Sequence, residues 1–123
     1  MKHLILVFIG GGIGSVVRYL VGRAMGEILT LKNFPIGTFT VNILGCLLIG
    51  IILAWLSKNT QADKAWSLLF ATGFCGGFTT FSTFSYENIL LIQKGEMGVA
   101  LLYMGASLLI GLLACSLGML LVK

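Results

Sequence analysis

Charge is what this sequence has least of. Among 123 residues there are eight Lys and Arg and four Asp and Glu, 10% in all, against 58% hydrophobic. A soluble domain needs roughly a quarter of its residues charged to cover its surface, so water is not the main solvent of this chain. One histidine and four acids, Glu27, Asp63, Glu87 and Glu96, do not assemble into a nucleophile, a base and an orienting group, which argues against an enzyme. The net charge is +4, yet no basic cluster of the length that nucleic-acid binding needs occurs anywhere, so no nucleic acid is expected as a partner. Cysteine is sparse as well. Cys46, Cys75 and Cys115 lie in three different apolar tracts with no C-x-x-C pair and no histidine beside them, and they read as packing residues rather than metal ligands.

What remains is long uncharged tracts: Leu4 to Val17, Asn33 to Ser57, Ala65 to Tyr86 and Met97 to Val122. Three exceed the ~20 residues that cross a bilayer core, and the first does so only if its helix carries Arg18 and runs on through Gly22. Arg18 and the absence of a small-residue cleavage pattern argue against a cleavable signal peptide. Asn33 and Pro35 stand where an N-cap and an early helical proline belong, and Lys58 follows the second tract at its negative end. Trp55 and Trp66 bracket the polar connection Lys58 to Lys64 at headgroup level. The predicted fold is all-α and membrane-integral: one four-helix domain, residues 1–123, with spans at about 4–26, 35–57, 65–91 and 97–122 and a break in the third near 75–80.

Four spans place both termini and the second connection on one side. Lys2, Lys58, Lys64 and Lys123 lie there, against Arg18, Arg23, Lys32 and Lys94 on the other. Four against four gives no positive-inside bias, which predicts insertion in both orientations unless other signals decide. Four helices at 8–10 Å spacing fill their own centre. An oligomer is expected, and with both orientations present it is an antiparallel homodimer that repeats every site twice.

Three faces carry polar groups. Gly11, Gly14, Ser15, Arg18 and Gly22 share one side of the first span; small faces serve close helix approach, while Arg18 either faces the interior or snorkels. Thr38, Asn42 and Gly45 share a side of the second, where the Asn42 amide either glues helices or lines a polar path. In the fourth, Tyr103, Ser107, Gly111, Cys115 and Gly118 form a further small, polar wall. The glycine run Gly10 to Gly14 is a poor dinucleotide fingerprint, because its last glycine falls on Ser15 and no acid follows about 20 residues on. The third span should break: Gly76 and Gly77 each cost about 1 kcal/mol in a helix interior, and the hydroxyl residues after them compete for the backbone. Freed carbonyls in lipid must be buried in protein or coordinate something. Phe81 and Phe84 point together, and their positive ring edges suit an anion that has shed water. Glu87 closes the tract as an interfacial charge or a proton-sensitive group at a pore mouth, position favouring the first.

Three motifs, Gly11-Gly12-Ile13-Gly14-Ser15-Val16-Val17-Arg18-Tyr19, Gly37-Thr38-Phe39-Thr40-Val41-Asn42 and the run from Gly73 to Phe84, resemble the Fluc (CrcB) family of fluoride channels in order and spacing. The resemblance spans essentially the whole chain and implies a passive fluoride exporter of the cell (inner) membrane. Its implied form is an antiparallel homodimer with two fluoride pathways and a central structural sodium ion. By position, the carbonyls of Gly76 and Thr79 match the sodium ligands, Phe81 and Phe84 the paired phenylalanines beside the fluoride, Asn42 the pore asparagine, and Ser82 and Thr83 the polar track. Arg18, Tyr103 and Ser107 are carried over on less sharply marked helices. Fluoride is tightly hydrated, so its path must supply donors, and Asn42 with the hydroxyls of Thr38, Ser82, Thr83 and Ser107 offers them. A small multidrug exporter shares the four spans but should carry an acid within one, and none of the four acids lies mid-membrane by these spans. A non-transporting helper subunit is the reading if the polar faces are glue alone. The balanced positive count makes a direct prediction: C-terminal reporter fusions should report both sides of the membrane, and two lysines added to one connection should polarise them. A wild-type chain found wholly in one orientation would contradict the antiparallel assembly.

Overall fold

The structure, a computed structural model, describes residues 1–29, 32–59 and 61–123. Every regular element in them is helical: α1 (Lys2–Ile28), α2 (Ile36–Lys58), α3, α4 (Phe81–Gln93) and α5 (Met97–Leu121). We use α3 for three consecutive stretches, Lys64–Trp66, a π-helical run Ser67–Cys75, and Gly76–Phe78. α1, α2 and α5 are each long and apolar enough to cross a membrane, and α1 carries Arg18 inside one unbroken helix.

The third predicted span is α3 followed by α4. Between them Thr79 and Thr80 are extended, with φ −93°, ψ 159° and φ −150°, ψ 116°. The predicted break is therefore present, but the glycines are not its seat. Gly76–Phe78 is still helical, and Gly77 is placed where a side chain would strike the backbone of Gly11 in α1. The chain leaves the helix at the threonines, whose hydroxyls take over backbone bonding: Thr79 Oγ1 donates to Cys75 O at 2.9 Å, and Thr80 Oγ1 accepts from Thr83 N at 3.2 Å as the cap of α4.

A second expectation is corrected at the start of α2. Asn33 is not its cap. It sits at φ 62°, a left-handed turn that asparagine tolerates, and its amide donates to Glu96 Oε1 at 3.1 Å across the connection before α5. Pro35 holds the cap position with no side-chain bond, and Phe39 N donates to its carbonyl. At the other end of α2, Lys58 Nζ donates to Val122 O at 2.7 Å and ties α2 to the end of α5.

Two helix pairs dominate the packing, α1 with α3 and α2 with α5. Lipid tails are as apolar as leucine, so such pairs hold by close backbone approach rather than by hydrophobic exclusion. Gly14 of α1 faces the Phe74 carbonyl and, at 3.0 Å from where its Cβ would be, Phe78 N. Gly118 of α5 meets the Leu47 carbonyl and Ile51 N of α2 in the same way. The small face expected on α1 is thus spent partly on packing. Large apolar side chains such as Phe8 and Leu113 point outward and are more than half exposed, as lipid-facing groups should be. Gly14→Val should weaken the bundle by about 3 kcal/mol or more, since backbone atoms must move to admit it. Gly26→Val meets no neighbour and should cost about 1 kcal/mol or less. Unfolding of detergent-solubilised protein distinguishes them, and equal losses would count against this packing.

Candidate functional site

Thr80 is the hinge of the site. In a continuing helix its N–H would bond the carbonyl of Gly76, four residues back. Instead it donates to Asn42 Oδ1 at 2.8 Å, and Asn42 Nδ2 donates to Thr80 O at 3.1 Å. One amide from α2 so satisfies both backbone groups of the extended residue. Thr83 N, which would have returned to Thr79 O, goes to Thr80 Oγ1. The carbonyls of Gly76 and Thr79 are thereby released from their regular helical partners. Arg18 reaches the same place from α1, its Nε donating to Gly77 O at 2.9 Å. A guanidinium at the negative end of α3 is favourably placed, and Arg18 is turned inward rather than snorkelling.

Around the hinge the expected residues divide between two clefts. The first, of about 650 Å³, is lined by Asn42, Gly76, Thr79, Phe81, Phe84 and Ser107 among others. The second, of about 430 Å³, is lined by Arg18, Thr38 and Thr83 with Ser15 and Arg23. Thr80 borders both. Ser82 lines neither; its exposed hydroxyl is 3.3 Å from Thr80 Oγ1. Phe81 is 78% exposed, an aromatic ring displayed rather than packed. Its centroid is 5.9 Å from that of Phe84, tilted by 36°, and Phe84 in turn meets Tyr103 edge-on at 4.9 Å. Ser107 Oγ is buried with no hydrogen-bond partner.

Glu87 is where position in the sequence misled. It reads as an interfacial charge closing the tract, but α4 runs on to Gln93, which leaves Glu87 more than a turn inside the helix. Its two carboxyl oxygens accept from the hydroxyls of Thr38 on α2 and Tyr103 on α5, each at 2.9 Å. Three helices meet on this one group. Tyr103 is fully buried, behind the clefts rather than in them. Thr80 itself was not singled out in the sequence; the signal was there, since a threonine just before a restarting helix is a strong cap residue.

Cation binding can be tested against these groups. The described residues contain no cluster of His, Cys, Asp or Glu that could hold a metal. The Gly76 and Thr79 carbonyls are of another kind: neutral hard oxygens, freed by the break, on residues that line an open cleft. Such oxygens suit an alkali cation, whose hydration shell carbonyls can replace. Two such carbonyls make only part of the shell an alkali cation needs, so the residues fit the ion as partial ligands.

An all-helical bundle with membrane-length helices and one interrupted helix, its broken backbone bordering two clefts that carry a few polar groups on largely apolar walls, defines a multi-pass membrane protein of the transport type. The chain belongs to the CrcB family: the family model described as CrcB-like protein, Camphor Resistance (CrcB), matches residues 5–119. Among its relatives, a protein of Acidobacterium capsulatum named fluoride-specific ion channel FluC is 48% identical over 119 residues, covering 97% of this chain and 94% of its own. A protein of the same name from Gloeothece citriformis is 46% identical, covering 100% and 98%. Its namesake from Escherichia coli K12 is 48% identical over 109 residues, covering 89% and 84%.

The clamp on Thr80 predicts an energetic signature. Asn42→Leu leaves a part-buried N–H and C=O without partners and should cost about 1–3 kcal/mol. Asn42→Asp keeps the accepting oxygen and should cost less. Denaturant unfolding in micelles measures both, and an Asn42→Leu protein as stable as wild type would contradict the clamp.

Proposed function

We propose that the protein is a fluoride-selective ion channel that lets fluoride leave the cell passively, lowers its cytoplasmic level, and works as an antiparallel, dual-topology homodimer in the cell (inner) membrane. The observation that carries this reading is the near full-length similarity, at 46–48% identity, to relatives named fluoride-specific ion channel FluC. It is a transport protein and not an enzyme.

The geometry supports the reading at several points. Val41, Phe78 and Tyr103 fill the interior of the single chain, so a conducting path belongs in the cleft at its surface. A second copy laid over that cleft covers Phe81 and doubles every lining group. The balanced positive charge lets the two copies insert oppositely. Fluoride gives up water only for donors of comparable strength. Asn42 has two N–H groups and gives one to Thr80 O, which leaves the other for the anion. Ser107 Oγ is a buried hydroxyl without a partner, and it lines the same cleft; Ser82 and Thr83 add hydroxyls beyond the hinge. Phe81 and Phe84 present ring edges. Thr38, which lines the second cleft, and Tyr103, which lies behind it, donate hydrogen bonds to Glu87, so Tyr103 acts on the path by fixing that carboxyl and not by lining it. Arg18 brings positive charge to the second cleft, where an anion would enter.

Sodium, when bound, supplies a fixed positive charge and a bridge between subunits; the Gly76 and Thr79 carbonyls of both copies would hold it. The chain's own part is to keep those carbonyls free, through Asn42 on Thr80 and Arg18 on Gly77.

Liposomes carrying the purified protein should release fluoride without a proton gradient and retain chloride. Phe81→Ile or Phe84→Ile should cut fluoride efflux by about tenfold or more while the dimer stays intact, because bulk is kept and the positive edge is lost. Fluoride-electrode recordings with and without a proton ionophore read this out. Chloride released as readily as fluoride, or fluoride released only down a proton gradient, would overturn the proposal.

A further inference from the structure

The two ends of the bundle differ in how their charges are used. α1 runs alongside α3 in the same direction, with Gly10 against Leu69 and Gly14 against Phe74, so Lys2 lies at the end where α3 begins. Lys58 closes α2 at that end and its bond to Val122 O brings in the end of α5 and Lys123. Four exposed lysines, Lys2, Lys58, Lys64 and Lys123, therefore gather there. Of the four acidic side chains in the sequence Asp63 alone lies there, accepting from Ala65 N at 3.4 Å, and its one negative charge leaves the lysines in excess. At the opposite end Lys32 and Lys94 are exposed too, but acids accompany them: Arg23 is paired with Glu27 at 3.1 Å, the one salt bridge among the described residues, and Glu96 lies there, held by Asn33.

Both tryptophans of the chain are at the lysine end. Trp55 lies within a turn of Lys58 on α2, Trp66 follows Lys64 on α3, and each is nearly half exposed, at 46% and 47%. Indole rings of this kind settle at headgroup depth, which places the lysines level with lipid phosphates. We infer that this end, centred on Trp55, Lys58, Lys64 and Trp66, is a docking surface for anionic phospholipid headgroups. A zwitterionic lipid fits it less well, since its own ammonium meets an excess of lysines over the one carboxylate, Asp63. Charge complementarity selects the occupant. The inference requires neither the fluoride reading nor the dimer.

Because no other tryptophan exists, indole fluorescence reports this end alone. In vesicles mixing brominated and unbrominated lipids, brominated phosphatidylglycerol should displace phosphatidylcholine from the tryptophans with a preference of roughly fivefold or more at low salt, since a single lysine near a surface contributes about that factor. High salt should shrink the preference. Lys58→Gln with Lys64→Gln should lower it severalfold, leaving only what Lys2 and Lys123 supply, whereas Lys58→Arg with Lys64→Arg should retain it. Equal quenching by the two brominated lipids around the wild-type protein overturns the inference, and so does a preference left unchanged by the double glutamine change.

Discussion

A helix interrupted within a bilayer survives only if the backbone groups it releases find partners, and here one side chain meets that requirement. Asn42 donates to and accepts from the backbone of Thr80. Remove it and the hinge holds a part-buried N–H and C=O with no partner from the chain. Everything placed after the hinge depends on it: the cap that starts α4, the direction in which Phe81 leaves the bundle, and the depth at which Glu87 meets Thr38 and Tyr103. Everything before it depends on Arg18, whose bond to Gly77 O settles the end of α3.

The scaffold around the hinge is stiff for a separate reason. Glycines let α1 approach α3, and α2 approach α5, to backbone contact. Close approach multiplies dispersion contacts that lipid cannot match along a groove. The Glu87 carboxyl then ties α4 to the α2–α5 pair, since its partners come from α2 and α5. Rigid pairs joined at a few polar points suit a protein that must hold donors at fixed places for a small ion.

Local chemistry made much of this readable in advance. The second and fourth uncharged tracts end where α2 and α5 end, give or take a turn; Trp55 and Trp66 marked one interface; Phe81 and Phe84, three apart, shared a side. The run from Gly73 to Ser85 announced a break because glycine and hydroxyl residues disfavour a continuous helix. What escaped depended on partners distant in sequence. The clamp joins residues 38 apart, and nothing near Asn42 distinguished gluing a helix from lining a path; in the structure the same amide satisfies a backbone and borders the cleft. Asn33 looked like a cap because caps are asparagine-rich, but a left-handed turn and Glu96 claimed it. Glu87 followed an apolar tract and so resembled an interfacial charge, whereas helix length, not tract length, sets its depth. The π-helical run Ser67–Cys75 left no mark that composition records, since its wider turns depend on the packing of α1 alongside.

Selective passage of fluoride is the claim to which the hinge, the displayed phenylalanine and the family all lead. Its most direct test is the reversal potential of the purified protein in a planar bilayer, with fluoride on one side and an equal concentration of chloride on the other. The account predicts a potential driven far toward the fluoride equilibrium value, with no change when a pH gradient is imposed. A reversal potential near zero under these conditions would mean that chloride passes as readily as fluoride, and would contradict it.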